Sequence, residues 1–538
     1  MTESLTVDYY PVTLAPGLSR LFVDFCAGDP KAMAFYAPVP LFEGWRSRPP
    51  VPSHWPELVQ LLAAQNPLPS AGPSLAALAG GAGTIVTGQQ VGLFGGPLFT
   101  AFKAATAIAR ARQATEAGEQ HTAVFWLATE DHDFAEINHV SFPAGRELTQ
   151  LAYERTPASP VPVGGVVLDD SIGPLVDRAV EILGASEAAD LLAAAYRPGR
   201  TLAQAFAEFY SRLFAAQGLL VIDAGGREFH RLGAPVLRAA LERADELHAA
   251  LTERNHALEA AGYHAQVAVA SQSSLLFLID AESGARTALK RNPPSAAEPD
   301  GLWQAGKHTY STADLAGILD AEPERISPSA LLRPVFQDFL LSTSAILGGP
   351  AEIAYFAQSA VLYERILGRQ TPAAPRFSAT LIEPQIGDLM RRHELTLERI
   401  FTEDEGSLAR VLAARAMPIE TKKTLAAAGN ALDHELNLLV EWMQTQDEGL
   451  GRSAETAASK MRYQMDRLRT LAANFQLQRE ASLTRHAEAL SRALFPGGVM
   501  QERVHGAAFY FARHGLELAE TMTLHAGNTR PGHTAIWL

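Results

Sequence analysis

The densest run of ionisable side chains lies in the segment ATEDHDFAEINHV, directly after a short apolar stretch. Asp131, His132 and Asp133 stand side by side there. A histidine beside carboxylates can be oriented and made more basic, which suits it to accept a proton from a reacting group. The cluster therefore predicts a proton-transfer site with Asp131, His132 and Asp133 as its candidate catalytic residues. The alternative is a solvated turn in which an Asp caps the following helix.

A metal site is a second possibility for the same segment. His132, Glu136 and His139 would share one helical face if the chain after Asp133 were helical. This spacing differs from the HExxH pattern of zinc enzymes, so no metal ligand is assigned.

Two Gly-Gly-Pro motifs each follow an apolar stretch and precede a helical pattern, in TIVTGQQVGLFGGPLFTAFKA and in STSAILGGPAEIAYFAQ. Glycine lets a backbone turn tightly beside a ligand, and proline suits the first position of a helix. The N–H groups at a helix start attract anions. We therefore predict that the two helix starts bind phosphate or carboxylate groups. Two ordinary strand-to-helix turns are the alternative, and neither a Walker A loop nor a GxGxxG pattern is present.

Polar side chains and glycines in and near these motifs are the candidate substrate-binding residues. Arg333 is suited to bidentate capture of a carboxylate or phosphate, or else is a structural partner of Asp338 or Glu352. Lys103, two turns into the first helix, either reaches a phosphate or is simply exposed. The full predicted set is Thr87, Gly88, Gln89, Gln90, Gly95, Gly96, Asn138, Arg333, Gln337, Asp338, Gly348, Gly349, Glu352, Tyr355 and Gln358.

The composition excludes several classes of protein. A chain of 538 residues is too long for one core, and 47% hydrophobic with 19% charged residues is typical of a soluble globular protein. The net charge of -14 argues against a nucleic acid as the partner. The single cysteine, Cys26, rules out an internal disulfide, and no apolar run is long enough to cross a bilayer. We expect a cytoplasmic protein with neither a nucleic-acid nor a membrane partner.

Apolar stretches alternate with helical patterns from about residue 83 onward. Strands are predicted at 84–87, 121–128 and 218–224 and a helix at 98–112, which indicates an α/β fold with a parallel, doubly wound sheet. Ligands of such sheets bind beyond the carboxyl ends of the strands, where the acidic cluster falls. We predict a core over 1–382, with a helical lead-in and with insertions near 145–200 and 281–328. The second insertion contains the loop RNPPSAAEPDG.

A helical domain is predicted over 383–494, followed by a segment, 495–538, that returns to the core. Two long stretches separated by DEGLGRS carry apolar residues at heptad spacing, which suits an antiparallel coiled-coil hairpin. Two amphipathic helices packed on the core are the alternative. The heptad residues are Leu425, Leu432, Leu436, Leu439 and Met443 in the first stretch, and Met461, Met465, Leu468, Ala472 and Phe475 in the second.

Taken together, TGQQVGLFGGPLFTAFKA, FWLATEDHDFAEINHV and LLRPVFQDFLLSTSAILGGPAEIAYFAQ resemble the bacillithiol biosynthesis cysteine-adding enzymes, a family of cysteine ligases. GYHAQV, SATLIEP and QERVHGAAFYFARHG extend the likeness over almost the whole chain. The resemblance implies a Rossmann-like core, related in plan to class I aminoacyl-tRNA synthetases, with inserted connecting segments and a coiled-coil domain. It also implies a homodimer, and a reaction that joins the carboxyl of L-cysteine to the amine of glucosaminyl-malate.

Such a reaction needs activation, because a carboxylate is a poor electrophile and the amine is largely protonated near neutral pH. We expect ATP, with Mg²⁺, to convert the cysteine carboxyl to an acyl-adenylate or acyl-phosphate. Asp131, His132 or Asp133 would then take the proton from the attacking amine. No HxGH motif follows the first strand, so synthetase chemistry is an analogy at the level of the fold. A nucleotide- or sugar-binding scaffold that works with a partner enzyme through the coiled coil is the alternative function.

Overall fold

The computed structural model describes residues 6–37, 51–155, 157, 159–292, 301–528 and 532–538. Most of the predicted loop RNPPSAAEPDG lies outside these ranges. Within them, no helix is long and apolar enough to span a membrane. The strands are β1 (Val7–Tyr10), β2 (Gly83–Gln89), β3 (His121–Leu127), β4 (His139–Ala144), β5 (Glu147–Ala152), β6 (Leu220–Asp223), β7 (Ser273–Ile279), β8 (Arg286–Asn292), β9 (Leu302–Ala305), β10 (His308–Tyr310), β11 (Ile326–Pro328), β12 (Thr343–Gly348), β13 (Ala373–Pro375), β14 (Ala379–Ile382) and β15 (His533–Trp537).

The α-helices are α1 (Arg20–Cys26), α2 (Pro30–Met33), α3 (Trp55–Gln65), α4 (Gly72–Ala79), α5 (Leu98–Glu116), α6 (Phe134–Ile137), α7 (Ile172–Leu183), α8 (Glu187–Ala195), α9 (Leu202–Leu213), α10 (Arg227–Glu242), α11 (Ala244–Ala260), α12 (Thr312–Ala321), α13 (Arg333–Leu341), α14 (Pro350–Leu367), α15 (Pro384–Arg392), α16 (Leu397–Thr402), α17 (Glu405–Ala416), α18 (Ile419–Gln446), α19 (Glu448–Arg479), α20 (Ala481–Leu494), α21 (Gln501–Val504), α22 (Ala507–His514) and α23 (Leu518–Ala526). They fall into two units, one formed by 9–379 with 502–534 and the other formed mainly by 380–501.

The larger unit is built on a five-stranded sheet with the order β13-β12-β2-β3-β6. Every neighbouring pair in it is parallel. The strands β3 and β12 are buried along their whole length, which explains their nearly continuous apolar sequences. Helix α5 connects β2 to β3, and α14 connects β12 to β13. The predicted α/β class with a Rossmann-like parallel sheet is confirmed.

Two long insertions interrupt this sheet. Between β3 and β6 the chain forms the β4–β5 hairpin and helices α7 to α9, so the predicted insertion near 145–200 contains strand β5 and helices α7 and α8. Between β6 and β12 it forms an antiparallel sheet with the order β10-β9-β8-β7-β11. This second sheet matters for function because β7, β8 and β11 deliver side chains to the site described below.

The smaller unit contains the predicted coiled-coil hairpin. Asp447 alone separates α18 from α19, and Arg462 of α19 donates to Asp433 (3.1 Å) and Asn437 (2.7 Å) of α18, as expected for antiparallel helices. The seam between them differs from the heptads read in the sequence. Leu436, Val440, Ala458 and Met465 are buried, as are Gly429 and Gly451, whereas four of the predicted heptad residues are more than half exposed. These are Leu439 (52%), Met461 (53%), Leu468 (56%) and Phe475 (60%).

Candidate functional site

A cleft of about 730 Å³ lies at the carboxyl ends of the parallel strands. Gln90 follows β2, Asp131 and His132 follow β3, Gly349 follows β12, and Arg376 follows β13. The carboxyl edge of a parallel sheet is where ligands of this class of fold bind. The cleft is therefore the candidate functional site of the larger unit.

Many of the residues predicted from the sequence meet at this cleft although they come from segments far apart in the chain. The predicted residues that line it are Gly88, Gln89, Gln90, Gly96, Asp131, His132, Arg333, Gly349, Glu352 and Tyr355.

The other predicted residues do not line the cleft, and most have a structural task. Asp133 caps α6 by accepting from the Glu136 amide (3.3 Å), so the capping alternative holds for this residue. Gly95 has φ of +86°, and a Cβ there would lie 2.6 Å from the Phe209 ring. The full set outside the lining is Thr87, Gly95, Asp133, Asn138, Gln337, Asp338, Gly348 and Gln358.

Three of these residues hold the scaffold through hydrogen bonds. Buried Asp338 accepts from the Thr343 amide (2.7 Å) and pairs with Arg369 (3.0 Å), so Arg333 is not its partner. Gln358 bonds to the backbone of Val267 at both its amide atoms. Asn138 donates to a backbone carbonyl across the start of the β4–β5 hairpin.

The helical face that would join His132, Glu136 and His139 does not form. Helix α6 ends at Ile137, and His139 is the first residue of β4. Among the described residues, no group of three His, Cys, Asp or Glu side chains is placed to hold a metal ion.

An ion pair joins the helices of the two Gly-Gly-Pro motifs. Lys103 of α5 lies 2.5 Å from Glu352 of α14 and also donates to the Gly88 carbonyl (2.6 Å) and to Gln89 (2.8 Å). Lys103 is only 3% exposed, contrary to the expectation of an exposed lysine. Burial lowers its pKa to about 8 although Glu352 favours the charged form.

The helix starts themselves are partly occupied by the protein's own groups. The Gly349 amide donates to the Glu352 carboxylate (2.8 Å), and the Leu98 amide donates to the His505 carbonyl (2.7 Å). Because these N–H groups already donate hydrogen bonds within the protein, a ligand anion would be held chiefly by side chains.

Asp131 is held as a carboxylate at the cleft wall. Gln90 donates to one oxygen (2.5 Å), and the backbone amide of His132 donates to the other (2.7 Å). Burial raises the pKa of Asp131, but these hydrogen bonds and the nearby Arg286 charge outweigh it and hold the pKa below its ordinary value. Asp131 therefore stays ionised at neutral pH and can accept hydrogen bonds or a proton from a ligand.

His132 faces a guanidinium rather than a carboxylate. Its Nδ1 lies 3.2 Å from Nη1 of Arg286, whereas the nearest Asp131 oxygen is 3.7 Å away. Sequence reasoning missed Arg286, which lies on β8 of the antiparallel sheet, 154 positions from His132.

Glu130, at the cleft next to Asp131, pairs with a histidine that is fully buried. Its Oε1 is 3.0 Å from His230 Nε2, and His230 Nδ1 is 3.0 Å from the Ile326 carbonyl and 3.2 Å from that of Pro323. Both ring nitrogens thus lie close to oxygen atoms, an arrangement that favours the imidazolium. Burial disfavours that charge, but Glu130 and the carbonyls outweigh burial and raise the pKa of His230.

Two further arginines complete the cationic side of the cleft. Arg376 makes a bidentate, buried pair with Glu502 (2.6 and 3.1 Å), and its buried Nε has no hydrogen-bond partner among the described residues. Arg503 is exposed at the cleft, and both guanidiniums lie over the Phe99 ring, at 5.2 Å for Arg376 and 6.0 Å for Arg503. In the sequence, Glu502 and Arg503 lie in the segment QERVHG, one of the stretches on which the family resemblance rests.

Arg333 projects from the first turn of α13 into the same cleft. It donates to the hydroxyl of Tyr355 (3.0 Å) on α14, the helix that also carries Glu352. Within the described part of the chain, Arg333 and Arg503 form no ion pair with a carboxylate, so each can bind an anionic ligand group.

Comparison with known proteins identifies the family. Residues 6–377 match the N-terminal Rossmann-like domain of the bacillithiol biosynthesis protein BshC, and residues 379–538 match its C-terminal coiled-coil domain. A protein of Koribacter versatilis named "Putative cysteine ligase BshC" is 39% identical over 98% of this chain and 99% of its own length. A protein of the same name from Solibacter usitatus is 36% identical over 94% of this chain and 94% of its own length. Another from Salinibacter ruber is 31% identical over 81% of this chain and 80% of its own length.

Proposed function

Because the chain belongs to the bacillithiol biosynthesis BshC family, we propose that it is a ligase that joins the carboxyl of L-cysteine to the amine of glucosaminyl-malate. The observation that carries the proposal is the cleft, which brings ligand-accessible cations and an ionised carboxylate together at the carboxyl edge of the sheet. Anionic and amine-bearing substrates need both kinds of group.

Recognition of the carboxylates rests on the arginines. Arg333 and Arg503 present guanidiniums to the cleft, and neither is paired with a carboxylate of the described residues. Arg is the side chain best suited to bind a carboxylate through two hydrogen bonds. The malate portion carries two carboxylates and cysteine carries one, so the two arginines match anionic substrates. Gln89 and Gln90 would position the polar groups of the sugar and of cysteine.

Proton transfer rests on Asp131. An amine that has attacked a carbonyl carbon becomes strongly acidic, so a carboxylate is basic enough to take its proton. Asp131 is held in place by Gln90 and is ionised at neutral pH, which suits it to this step. Asp133, which caps α6, is not placed to take part.

ATP and Mg²⁺ belong to the proposal as activators. Bound ATP would supply the leaving group that a cysteine carboxylate lacks. The cleft fits such a ligand if Arg333 and Arg503 divide the anions: Arg503, exposed at the cleft, would hold a phosphate while Arg333 holds a substrate carboxylate. Mg²⁺ is usually held by one or two carboxylates together with substrate phosphates, and Glu136 is an exposed carboxylate at the cleft.

The reaction is tested with purified protein, L-cysteine and glucosaminyl-malate, with and without ATP and Mg²⁺, by mass spectrometry of the products. We expect the amide product only when ATP is present, with release of AMP or ADP identifying the bond that is cleaved. A folded protein that forms no product under any of these conditions would refute the ligase and favour the scaffold that acts with a partner enzyme.

The role of Asp131 is tested by a matched pair of neighbouring substitutions. Asp131→Asn should lower kcat about 100-fold or more, the usual effect of losing a proton-transfer group. Asp133→Asn should leave the rate within a few-fold, because Asn caps a helix as well as Asp does. Equal losses in the two variants would contradict the assignment.

We also propose that two copies associate through the hairpin of α18 and α19. Met461, Leu468 and Phe475 follow one another at heptad spacing on α19, and all are more than half exposed. Apolar rows of this kind on long helices are typical of a helix-pairing surface.

A charge placed in this row tests the association. Leu468→Glu should raise the dimer dissociation constant about 100-fold or more, because burying an unpaired carboxylate costs several kcal/mol. Thr470→Glu, an exposed position on the other side of the same helix, is the control. Sedimentation equilibrium measures both, and a dimer unchanged by Leu468→Glu would exclude this surface.

A further inference from the structure

We propose that Arg286 fixes His132 as the neutral tautomer with its proton on Nε2, so that His132 donates a hydrogen bond to the substrate instead of accepting its proton. This reverses the role that the sequence suggested for a histidine beside two aspartates. The tautomer follows from the protein's own contacts, and only the role toward the substrate rests on the proposed ligase function.

The guanidinium of Arg286 is held from three sides. Its Nε donates to the Ser327 hydroxyl (2.9 Å), its Nη2 donates to the Pro328 carbonyl (3.0 Å), and its Cζ lies 3.7 Å from the centre of the Phe277 ring. Arg286 is only 7% exposed. The remaining nitrogen, Nη1, is thereby directed at His132 Nδ1 at 3.2 Å.

A guanidinium has N–H donors and no acceptor, so a hydrogen bond between these two groups requires a lone pair on His132 Nδ1. The proton of the neutral ring must then be on Nε2. A doubly protonated ring would direct its Nδ1–H at the N–H of Arg286, which the fixed position of Arg286 opposes.

Asp131 does not supply the opposite arrangement. A carboxylate that accepted from Nδ1–H would leave Nε2 unprotonated and basic, as in the His–Asp pairs of general-base catalysis. The Asp131 oxygen nearest to Nδ1 is 3.7 Å away and already accepts from the backbone amide of His132 (2.7 Å). Arg286, at 3.2 Å, is the closer partner of Nδ1.

His132 and Asp131 then have different roles at the cleft, one as a hydrogen-bond donor and the other as a proton acceptor. Nε2–H of His132 is a donor for an oxygen of the cysteine carboxyl, where negative charge grows as the amine adds to the carbon. The proton remains on Nε2 throughout, and the amine proton goes to Asp131. Donors fixed in this way stabilise an oxyanion effectively because they need no reorganisation.

The tautomer is tested without any substrate. In protein labelled only with ¹⁵N-histidine, long-range ¹H–¹⁵N correlation spectra distinguish the two neutral tautomers and the cation, and the His132 signals are identified by their loss in His132→Gln. We expect Nε2 protonated and Nδ1 unprotonated in the native protein. Arg286→Met, which keeps an apolar side chain against Phe277, should lose this preference. A proton on Nδ1 of the native protein would overturn the proposal.

The role toward the substrate is tested by two nearly isosteric substitutions. His132→Gln offers an amide N–H close to the position of Nε2, whereas His132→Glu offers only acceptors. We expect His132→Gln to keep kcat within about 10-fold of the native value and His132→Glu to fall about 100-fold further, the usual cost of losing one oxyanion donor. His132→Glu as active as His132→Gln would overturn the donor role. If the native protein makes no amide product, the ligase fails while the tautomer is still decided by the spectra.

Discussion

We expect the free energy of unfolding of the native protein to increase as the pH rises from neutral to alkaline values. We expect the Lys103→Met variant to lack most of this increase. Lys103 is 3% exposed, and burial lowers its pKa to about 8 from the ordinary value of 10.5 even with Glu352 at 2.5 Å. A base whose pKa is lower in the folded than in the unfolded state contributes stability that is fully present above its unfolded pKa. That contribution is lost as the pH falls through the folded pKa. The native protein should therefore gain stability as the pH rises from about 8.

The size of this gain follows from the difference between the two pKa values. Each pKa unit is worth about 1.4 kcal/mol, so the complete gain is about 3 kcal/mol. Between about pH 7.5 and about pH 9.5, where the assay is practical, roughly 2 kcal/mol of it should appear. Lys103→Met has no proton to lose at this position, so its free energy of unfolding should not include this increase of roughly 2 kcal/mol.

Urea unfolding, followed by tryptophan fluorescence, measures the effect, and buried Trp126 on β3 is one of the tryptophans that report on the larger unit. Native protein, Lys103→Met and Lys307→Met are compared at both pH values. Lys307 is exposed in the same unit, so its substitution should leave the pH dependence of the native protein unchanged. A Lys103→Met variant that gains as much stability as native protein would refute the reasoning, because it would mean that Lys103 is not buried with a perturbed pKa.

Two further predictions concern the other buried ion pairs of the cleft. Glu502→Gln should lower the free energy of unfolding by about 3–5 kcal/mol, because it leaves the buried Arg376 unpaired. Burial raises the pKa of Glu502, but Arg376 outweighs it and lowers the pKa, so this carboxylate stabilises the native protein above its unfolded pKa. That contribution fades as acid is added, and urea unfolding at neutral pH and near pH 4 checks it. For His230, whose pKa is raised, the sign is opposite: its contribution is lost as the pH rises through the folded pKa. His230→Gln should flatten the decline of stability that begins as the pH rises above about 6.5, the ordinary pKa of histidine. If the variant shows the same decline as the native protein, His230 is not the titrating group.

The location of the site could be predicted from the sequence because it depends on local patterns. Short apolar stretches next to glycines became β2, β3 and β12, and the rule that ligands bind at the carboxyl ends of parallel strands brought Gln90, Asp131 and Gly349 to one cleft. It was harder to predict from the sequence whether a given polar residue has a catalytic or a structural role. Asp133 lies two residues beyond Asp131, yet it caps a helix, and both outcomes fit the same local sequence.

The partners of the site residues could not be predicted, because they come from distant elements. Arg286 reaches His132 across 154 positions, and Glu502 reaches Arg376 across 126. No periodicity or motif records such pairings. The coiled coil shows a related limit: heptad spacing predicted the hairpin, but its inner seam includes Gly429 and Gly451, which allow close approach of the helices, while larger apolar residues face outward.

The charges of the cleft explain why so many distant segments must meet. Lys103 is matched by Glu352, Arg376 by Glu502, and Glu130 by His230, so these three buried charges are each balanced inside the protein. Unpaired, such charges would cost several kcal/mol each on burial. Among the described residues, the charged groups of the cleft outside these pairs include Asp131, Arg286, Arg333 and Arg503. We expect these buried pairs to hold the accessible side chains of the cleft in place before a ligand binds, because a preorganised site needs little reorganisation when anionic substrates bind.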